Sequence, residues 1–209
     1  MLGAGIALFL TGCALMEERA SYQPSDNTAM IAADGTLEWA SVEEYGEGSF
    51  SQEELADFAK ARIGEFNESL GAGNQAESQG DERLPVSYVS GELGDGRAVL
   101  VTSYDSPSRL LEFAQYIGDY NVPFVQLEIA AASELAEELS GVPLVDRDGR
   151  TAEKLQELLN TEGCLAVKAE GQGLIYTEKK VSLMSEGCQL RDEHTVLTAG
   201  EGVSYIIAE

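Results

Sequence analysis

The chain contains one histidine, His194, in the run Arg191-Asp192-Glu193-His194. Any Ser-His-Asp or Cys-His acyl-transfer site would have to use it as the base. That run is polar and turn-like between strand-forming segments, and no Gly-x-Ser-x-Gly elbow occurs. His194 therefore reads as a surface histidine. The same scarcity argues against zinc held by histidine, and no Cys-x-x-Cys is present. Gly91 to Ala98 spaces two glycines like a phosphate loop, but Arg97 and Ala98 replace the lysine and hydroxyl residue that would contact phosphate and magnesium. Gly71-Ala72-Gly73-Asn74-Gln75-Ala76 mimics a dinucleotide fingerprint but follows a helical pattern rather than a strand. Asp146-Arg147-Asp148-Gly149 is similar to a calcium loop. With Gly149 as the sixth loop residue, the first and twelfth positions fall on Leu144 and Leu155, which offer no carboxylate. The pairs Glu43-Glu44, Glu53-Glu54 and Glu137-Glu138 are explained by a solvated acidic face without invoking glycosidase chemistry. No catalytic, cofactor-binding or metal-ligating residue is assigned, and no cofactor is expected.

Three cysteines remain. Outside the cytoplasm Cys164 and Cys188 could pair, which would add roughly 3 kcal/mol on the chain-entropy account. Alternatively both are small buried hydrophobes. Cys13 stands apart: residues 2–10 are apolar or glycine, and Leu10-Thr11-Gly12-Cys13 follows at once. An apolar run of that length ending in small residues reads as the end of a secretory signal peptide. It is too short to span a bilayer, which needs about 20 apolar residues. Leu10-Thr11-Gly12-Cys13 resembles the lipobox of bacterial lipoproteins. The resemblance implies cleavage before Cys13 and a diacylglyceryl thioether on its sulfur, with a second, palmitate-like chain needed for stable anchoring. Leu2 follows Met1 directly, so the run lacks the basic residues that usually precede it.

There are 37 Asp and Glu against 13 Lys and Arg, a formal net charge of −24. Such a surface repels phosphate backbones and anionic headgroups, so nucleic acid is excluded as a partner. Hydrophobic residues make up 44% and charged residues 24%, an ordinary globular balance.

The elements that would carry any site follow from periodicity. Residues 17–27 are polar, interrupted by Pro24, and read as a flexible tether. Thr36 to Val42 alternates as a strand with Leu37 and Trp39 on one face. Ser51-Gln52-Glu53-Glu54 is a capping-box signature, followed by Leu55, Phe58, Ala59, Ile63, Phe66 and Leu70 at helical spacing and by Gly71 as cap. Residues 84–89 and 97–104 read as a hairpin joined by 91–96. Ser106-Pro107 opens a second helix with Leu110, Phe113, Ala114 and Ile117 on its apolar face. Residues 122–130 suggest a strand, 131–139 a short helix and 151–159 a third clear helix. From Cys164 onward five short strands are expected. Trp39, the only tryptophan, reads as core, and the aromatic stretch from Tyr116 to Phe124 could line a sugar or peptide groove but is explained as well by a helix-to-strand connection packing its aromatics on the core.

The lipobox, Asp34-Gly35-Thr36, the helices from Ser51 and Ser106, the turn from Asp146 to Gly149 and Ser204-Tyr205-Ile206-Ile207 together resemble uncharacterised surface lipoproteins of Gram-positive bacteria. The resemblance implies a surface lipoprotein and supplies no catalytic residues. The expectation is an α+β fold: amphipathic helices packed on antiparallel sheet, with a β-rich C-terminal part. Residues 1–12 would be signal peptide, 13–33 lipidated cysteine and tether, 34–161 the α+β domain, and 162–209 a β-rich subdomain or a continuation of the sheet. The expected function is that of a membrane-anchored extracytoplasmic lipoprotein, on the outer face of the cell membrane through lipid on Cys13. It would act without catalysis as a binding or envelope component with a protein or glycan ligand. The alternatives are a solute-binding lipoprotein of a transporter and a carboxylate-dependent hydrolase of wall polysaccharide.

Overall fold

In the computed structural model, which describes residues 22–46, 50–78 and 83–209, the capping signature at Ser51 starts helix α1, Gln52–Ser69. Ser51 Oγ accepts the Glu54 N–H at 3.2 Å, and Glu54 accepts the Ser51 N–H at 2.7 Å. At the other end Gly71, with φ +81°, donates to Glu68, and Ala72 donates to Asn67. That pair of bonds satisfies the last carbonyls in a Schellman arrangement. The buried stripe is Ala59, Ile63, Phe66 and Asn67. Phe58 and Leu70, expected on the apolar face, are instead 67% and 44% exposed. Phe58 lies one residue, and so about 100°, off the stripe that meets the sheet. Leu10-Thr11-Gly12-Cys13 lies outside the described residues.

The described residues form an α+β fold with twelve strands and four α-helices. One sheet has seven strands: β1 (Thr28–Ile31), β2 (Leu37–Glu44), β3 (Val86–Gly94), β4 (Arg97–Tyr104), β8 (Leu174–Thr177), β10 (Gln189–Leu190) and β11 (Thr195–Leu197). Their order is β10-β11-β8-β1-β2-β4-β3. The second has five: β5 (Gln126–Ala131), β6 (Leu144–Val145), β7 (Leu165–Glu170), β9 (Val181–Ser185) and β12 (Val203–Ala208), in the order β5-β7-β12-β9-β6. Every pairing is antiparallel except β1 with β8.

Several expectations are refined. Part of the segment read as tether is structural, because Thr28–Ile31 is a central strand with Ala29 and Ile31 wholly buried. Of the two readings left open for residues 162–209, the strand order matches continuation rather than a separate subdomain: β8, β10 and β11 complete the first sheet, while β7, β9 and β12 lie in the second. The third clear helix shrinks to α4, Leu155–Leu159. Thr151 is bridged to Val145, and the Ala152 N–H bonds Leu144, so those residues extend a strand. The hairpin is tighter than expected: β3 runs to Gly94 and only Asp95-Gly96 turn, both at positive φ (52° and 74°), as a two-residue loop matched to strand twist requires.

The main core lies between the two sheets, closed by α1 and by α2 (Pro107–Ile117). It contains Ile31, Leu37, Trp39, Phe66, Phe113, Phe124, Val167 and Ile206. A second core covers the far face of the five-stranded sheet. There Leu183, Tyr205 and Ile207 meet α3 (Ala136–Leu139), the 3-10 turn before it and α4. Tyr205, Ile206 and Ile207 in β12 thus serve two cores by simple alternation.

The outer edge of β3 is closed by a side chain. Asn67, wholly buried on α1, donates to the Val86 carbonyl at 2.8 Å and to the Gln75 carbonyl at 2.7 Å, and accepts the Val86 N–H at 3.1 Å. Removing it leaves buried backbone groups unsatisfied, and each such group costs on the order of 1–3 kcal/mol. Asn67→Ala should therefore lose about 3 kcal/mol of stability in urea unfolding. A loss below about 0.5 kcal/mol would show that the edge does not depend on this amide.

Candidate functional site

Because strand side chains alternate, the residues between the inward-facing members of the seven-stranded sheet share its outer face. Met30 lies opposite Tyr176 on β8 and opposite Glu38 on β2, and Glu38 lies opposite Ser103 on β4. The register therefore sets Tyr176, Met30 and Glu38 side by side across three strands. Over this row runs the segment from Tyr22 to Asn27. The Tyr22 ring stacks on Tyr176 at 4.1 Å with planes 16° apart. Arg97 donates to the Ser25 carbonyl, the Thr28 hydroxyl donates to the Asp26 carbonyl, and Asn27 Oδ1 accepts the Val42 N–H at 2.7 Å. Together the strap and the sheet enclose a cleft of about 220 Å³, lined among others by Tyr22, Met30, Glu38, Val101, Tyr176 and Glu178.

His194 borders this region. Its ring lies 5.8 Å from Tyr176, and Nδ1 sits 2.9 Å from the Thr177 carbonyl. Asp192 accepts the His194 N–H and organises the turn. The sequence reading of a surface histidine is thus corrected to a half-buried ring packed on Tyr176. Burial first, then the carboxylates of Glu178 and Asp192, pushes the Tyr176 phenol above its ordinary range, so it is a neutral hydrogen-bonding group near neutral pH.

The remaining candidate residues are placed elsewhere. Cys164 and Cys188 carry free thiols. Cys164 belongs to the second core, whereas Cys188 packs against the main one. Their sulfurs are not bonded to each other in the structure; Cys164 is buried and Cys188 half-buried. Burial raises the Cys164 thiol, with Glu209 adding to the effect and Lys179 opposing it. Asp146 folds the 146–150 turn on itself: its Oδ1 accepts the N–H groups of Asp148 and Arg150, each at 2.9 Å. The Arg150 N–H is the first of the bonds that hold the Asp146 carboxyl below its ordinary range. Among the described residues no three His, Cys, Asp or Glu side chains converge as metal ligands.

The aromatic stretch from Tyr116 to Phe124 divides. Phe124 is buried edge-on to Trp39, Tyr116 packs on Phe66, and Tyr120 is 96% exposed. A hollow of about 420 Å³ runs along this connection, with Val122 and Tyr120 among its walls. Phe124 can reach the core because Gly171 leaves room, since a Cβ there would stand 2.1 Å from the Pro123 carbonyl oxygen. Sequence reasoning missed the cleft on the outer sheet face. Tyr22, Met30 and Tyr176 are distant in sequence, and only strand register places them together.

Of the acidic pairs, Glu54 caps α1 and Glu43 accepts from Asn121. Glu138 accepts from Lys168 Nζ at 2.6 Å and from the Tyr205 hydroxyl at 2.8 Å, tying α3 to the five-stranded sheet.

No protein-family model, curated protein or solved structure matches this chain.

The Lys168 bond first, and the Tyr205 bond second, hold the Glu138 carboxyl below the ordinary glutamate range. A depressed carboxylate stabilises the fold above its unfolded pKa, and that contribution is lost as pH falls through the folded value. The melting-temperature gap between the parent and Glu138→Gln should thus be present near neutral pH and shrink as pH drops below about 4. A gap that stays constant across that range would show that the ionised form is not what ties α3 down.

Proposed function

We propose that the chain is an extracytoplasmic lipoprotein, attached to the outer face of the cell membrane through lipid on Cys13. In this reading its α+β domain acts as a binding or envelope component rather than by chemistry of its own. The observation that carries the proposal is Leu10-Thr11-Gly12-Cys13 placed directly after an apolar run. Its residue types suit the reaction: small side chains let an extended backbone enter a peptidase cleft, and only a thiol yields the thioether.

The fold is compatible with such an anchor. Cys13 precedes Tyr22, the first described residue, by nine positions (22 minus 13). Nine extended residues reach at most about 30 Å, so the outer face of the seven-stranded sheet would be held close to the bilayer. The partly apolar cleft on that face, walled by two tyrosines, gives the domain a place to bind. Among the described residues no helix is long and apolar enough to cross a membrane.

Expression of the chain in a bacterial host with labelled palmitate tests the reading. The parent should carry label and fractionate with membranes, while Cys13→Ala should lose the label and appear in the soluble extracytoplasmic fraction. Membrane retention of the unlabelled Cys13→Ala chain would overturn it.

A further inference from the structure

We infer that the hollow along the connection from α2 to β5 is a binding site for an uncharged sugar ring, a pyranose unit of a neutral glycan. The inference goes beyond the anchoring reading and concerns a different surface from the cleft on the outer sheet face. It rests on the local geometry of residues 115–124.

The connection holds one aromatic side chain out in water. Gly118, at φ +72°, ends α2, and the Asp119 N–H returns to the Ala114 carbonyl at 2.8 Å. Asp119 Oδ1 accepts the Asn121 N–H at 2.8 Å, and the Asn121 amide donates to Glu43 on β2. Phe124 then ties the segment into the main core. Tyr120 lies between these fixed points, yet it is 96% exposed. Among the described residues no ring packs on it and its hydroxyl has no partner. Its ring is therefore open to a ligand. A tyrosine on a tied loop loses little freedom on binding, because it has few torsions left to fix.

The rest of the hollow supplies what a sugar requires. A pyranose with equatorial hydroxyls gathers C–H groups on its faces and hydroxyls on its rim. The C–H face suits the negative π surface of a phenol ring. The rim calls for planar groups that donate and accept hydrogen bonds. Gln115 and Asp119 stand in the lining with Tyr120. The Gln115 side chain is exposed and has no hydrogen bond among the described residues, and Asp119 keeps Oδ2 for a ligand hydroxyl. Leu111, Val122 and Phe124 add apolar wall. Asp119 is the single charged residue of the lining, and the chain carries −24 overall, so an acidic sugar is repelled. The volume, about 420 Å³, equals roughly fourteen waters at about 30 Å³ each, which admits a sugar ring with its linkages and excludes a folded segment.

The test is calorimetric titration of the purified full chain in a sugar-free detergent. The neutral probes are cellotriose, mannotriose and triacetylchitotriose; the controls are trigalacturonate and the blocked tripeptide acetyl-Ala-Leu-Ala-amide. At least one neutral sugar should bind saturably, and trigalacturonate should not. Tyr120→Ala should weaken that sugar by about tenfold, whereas Tyr120→Phe should leave it within about twofold, because stacking uses the ring and not the hydroxyl. Gln115→Ala should weaken it by about threefold to tenfold, the loss of a single hydrogen-bonding group. These substitutions fall on exposed side chains without partners among the described residues, so the melting temperature should not move. Absence of binding by all three sugars, unchanged affinity in Tyr120→Ala, equal binding of trigalacturonate, or tighter binding of the tripeptide would overturn the inference. Cys13→Ala should bind the sugar as the parent does, so a failed anchor and a failed hollow give different results.

Discussion

The fold depends on a four-residue strand bonded on both sides. Thr28–Ile31 pairs antiparallel with β2 and parallel with β8, and Thr28, Ala29 and Ile31 are at most 1% exposed. Without it the seven-stranded sheet would fall into two separate pieces, β2-β4-β3 and β10-β11-β8, each with an unpaired edge facing a gap. A parallel contact joins residues whose chain separation is large; here Thr28 lies opposite Leu174. The loop-closure entropy of that contact is offset only when the rest of both sheets is assembled. The same strand sets Met30 between Tyr176 and Glu38, so the register that closes the sheet also creates the cleft.

The second sheet obeys a different rule. With the main core on one face and the short helices on the other, its central strand β12 reads Val-Ser-Tyr-Ile-Ile-Ala, nearly continuous in apolar character. A sheet covered on both faces selects such runs rather than clean alternation. On the neighbouring strand β7, Lys168 meets Glu138 and the Tyr205 ring.

Local signals in the sequence were legible where the backbone itself demands a residue type. The capping box at Ser51, the proline after Ser106, the strand over Leu174–Thr177 and the α+β class all stand in the structure. What could not be read depends on tertiary partners. Thr28–Ile31 follows a polar, proline-containing stretch and is too short to show a period, yet pairing on both sides makes it the centre of a sheet. Residues 151–154 have helical composition, but the bridge to Val145 claims Thr151 first. For the run from Tyr116 to Phe124 a groove lining and a packed connection were both open from sequence, and it is the room at Gly171 that lets Phe124 reach Trp39. The cleft was illegible for the same reason: an outward-facing Tyr or Met on a strand carries no mark of its neighbours until register is known.

The amide of Asn67 has a consequence beyond holding α1 to the sheet. A terminal strand nine residues long is a template on which another chain can add, backbone to backbone. Here Asn67 occupies the donor and acceptor of Val86, and Ala76 takes the N–H of Tyr88 at 2.7 Å. An incoming strand would have to displace a helix-borne side chain and a loop before it could form its first ladder bond there. The protein thus resists growing into sheet-to-sheet assemblies at the edge where it would otherwise be most prone to do so.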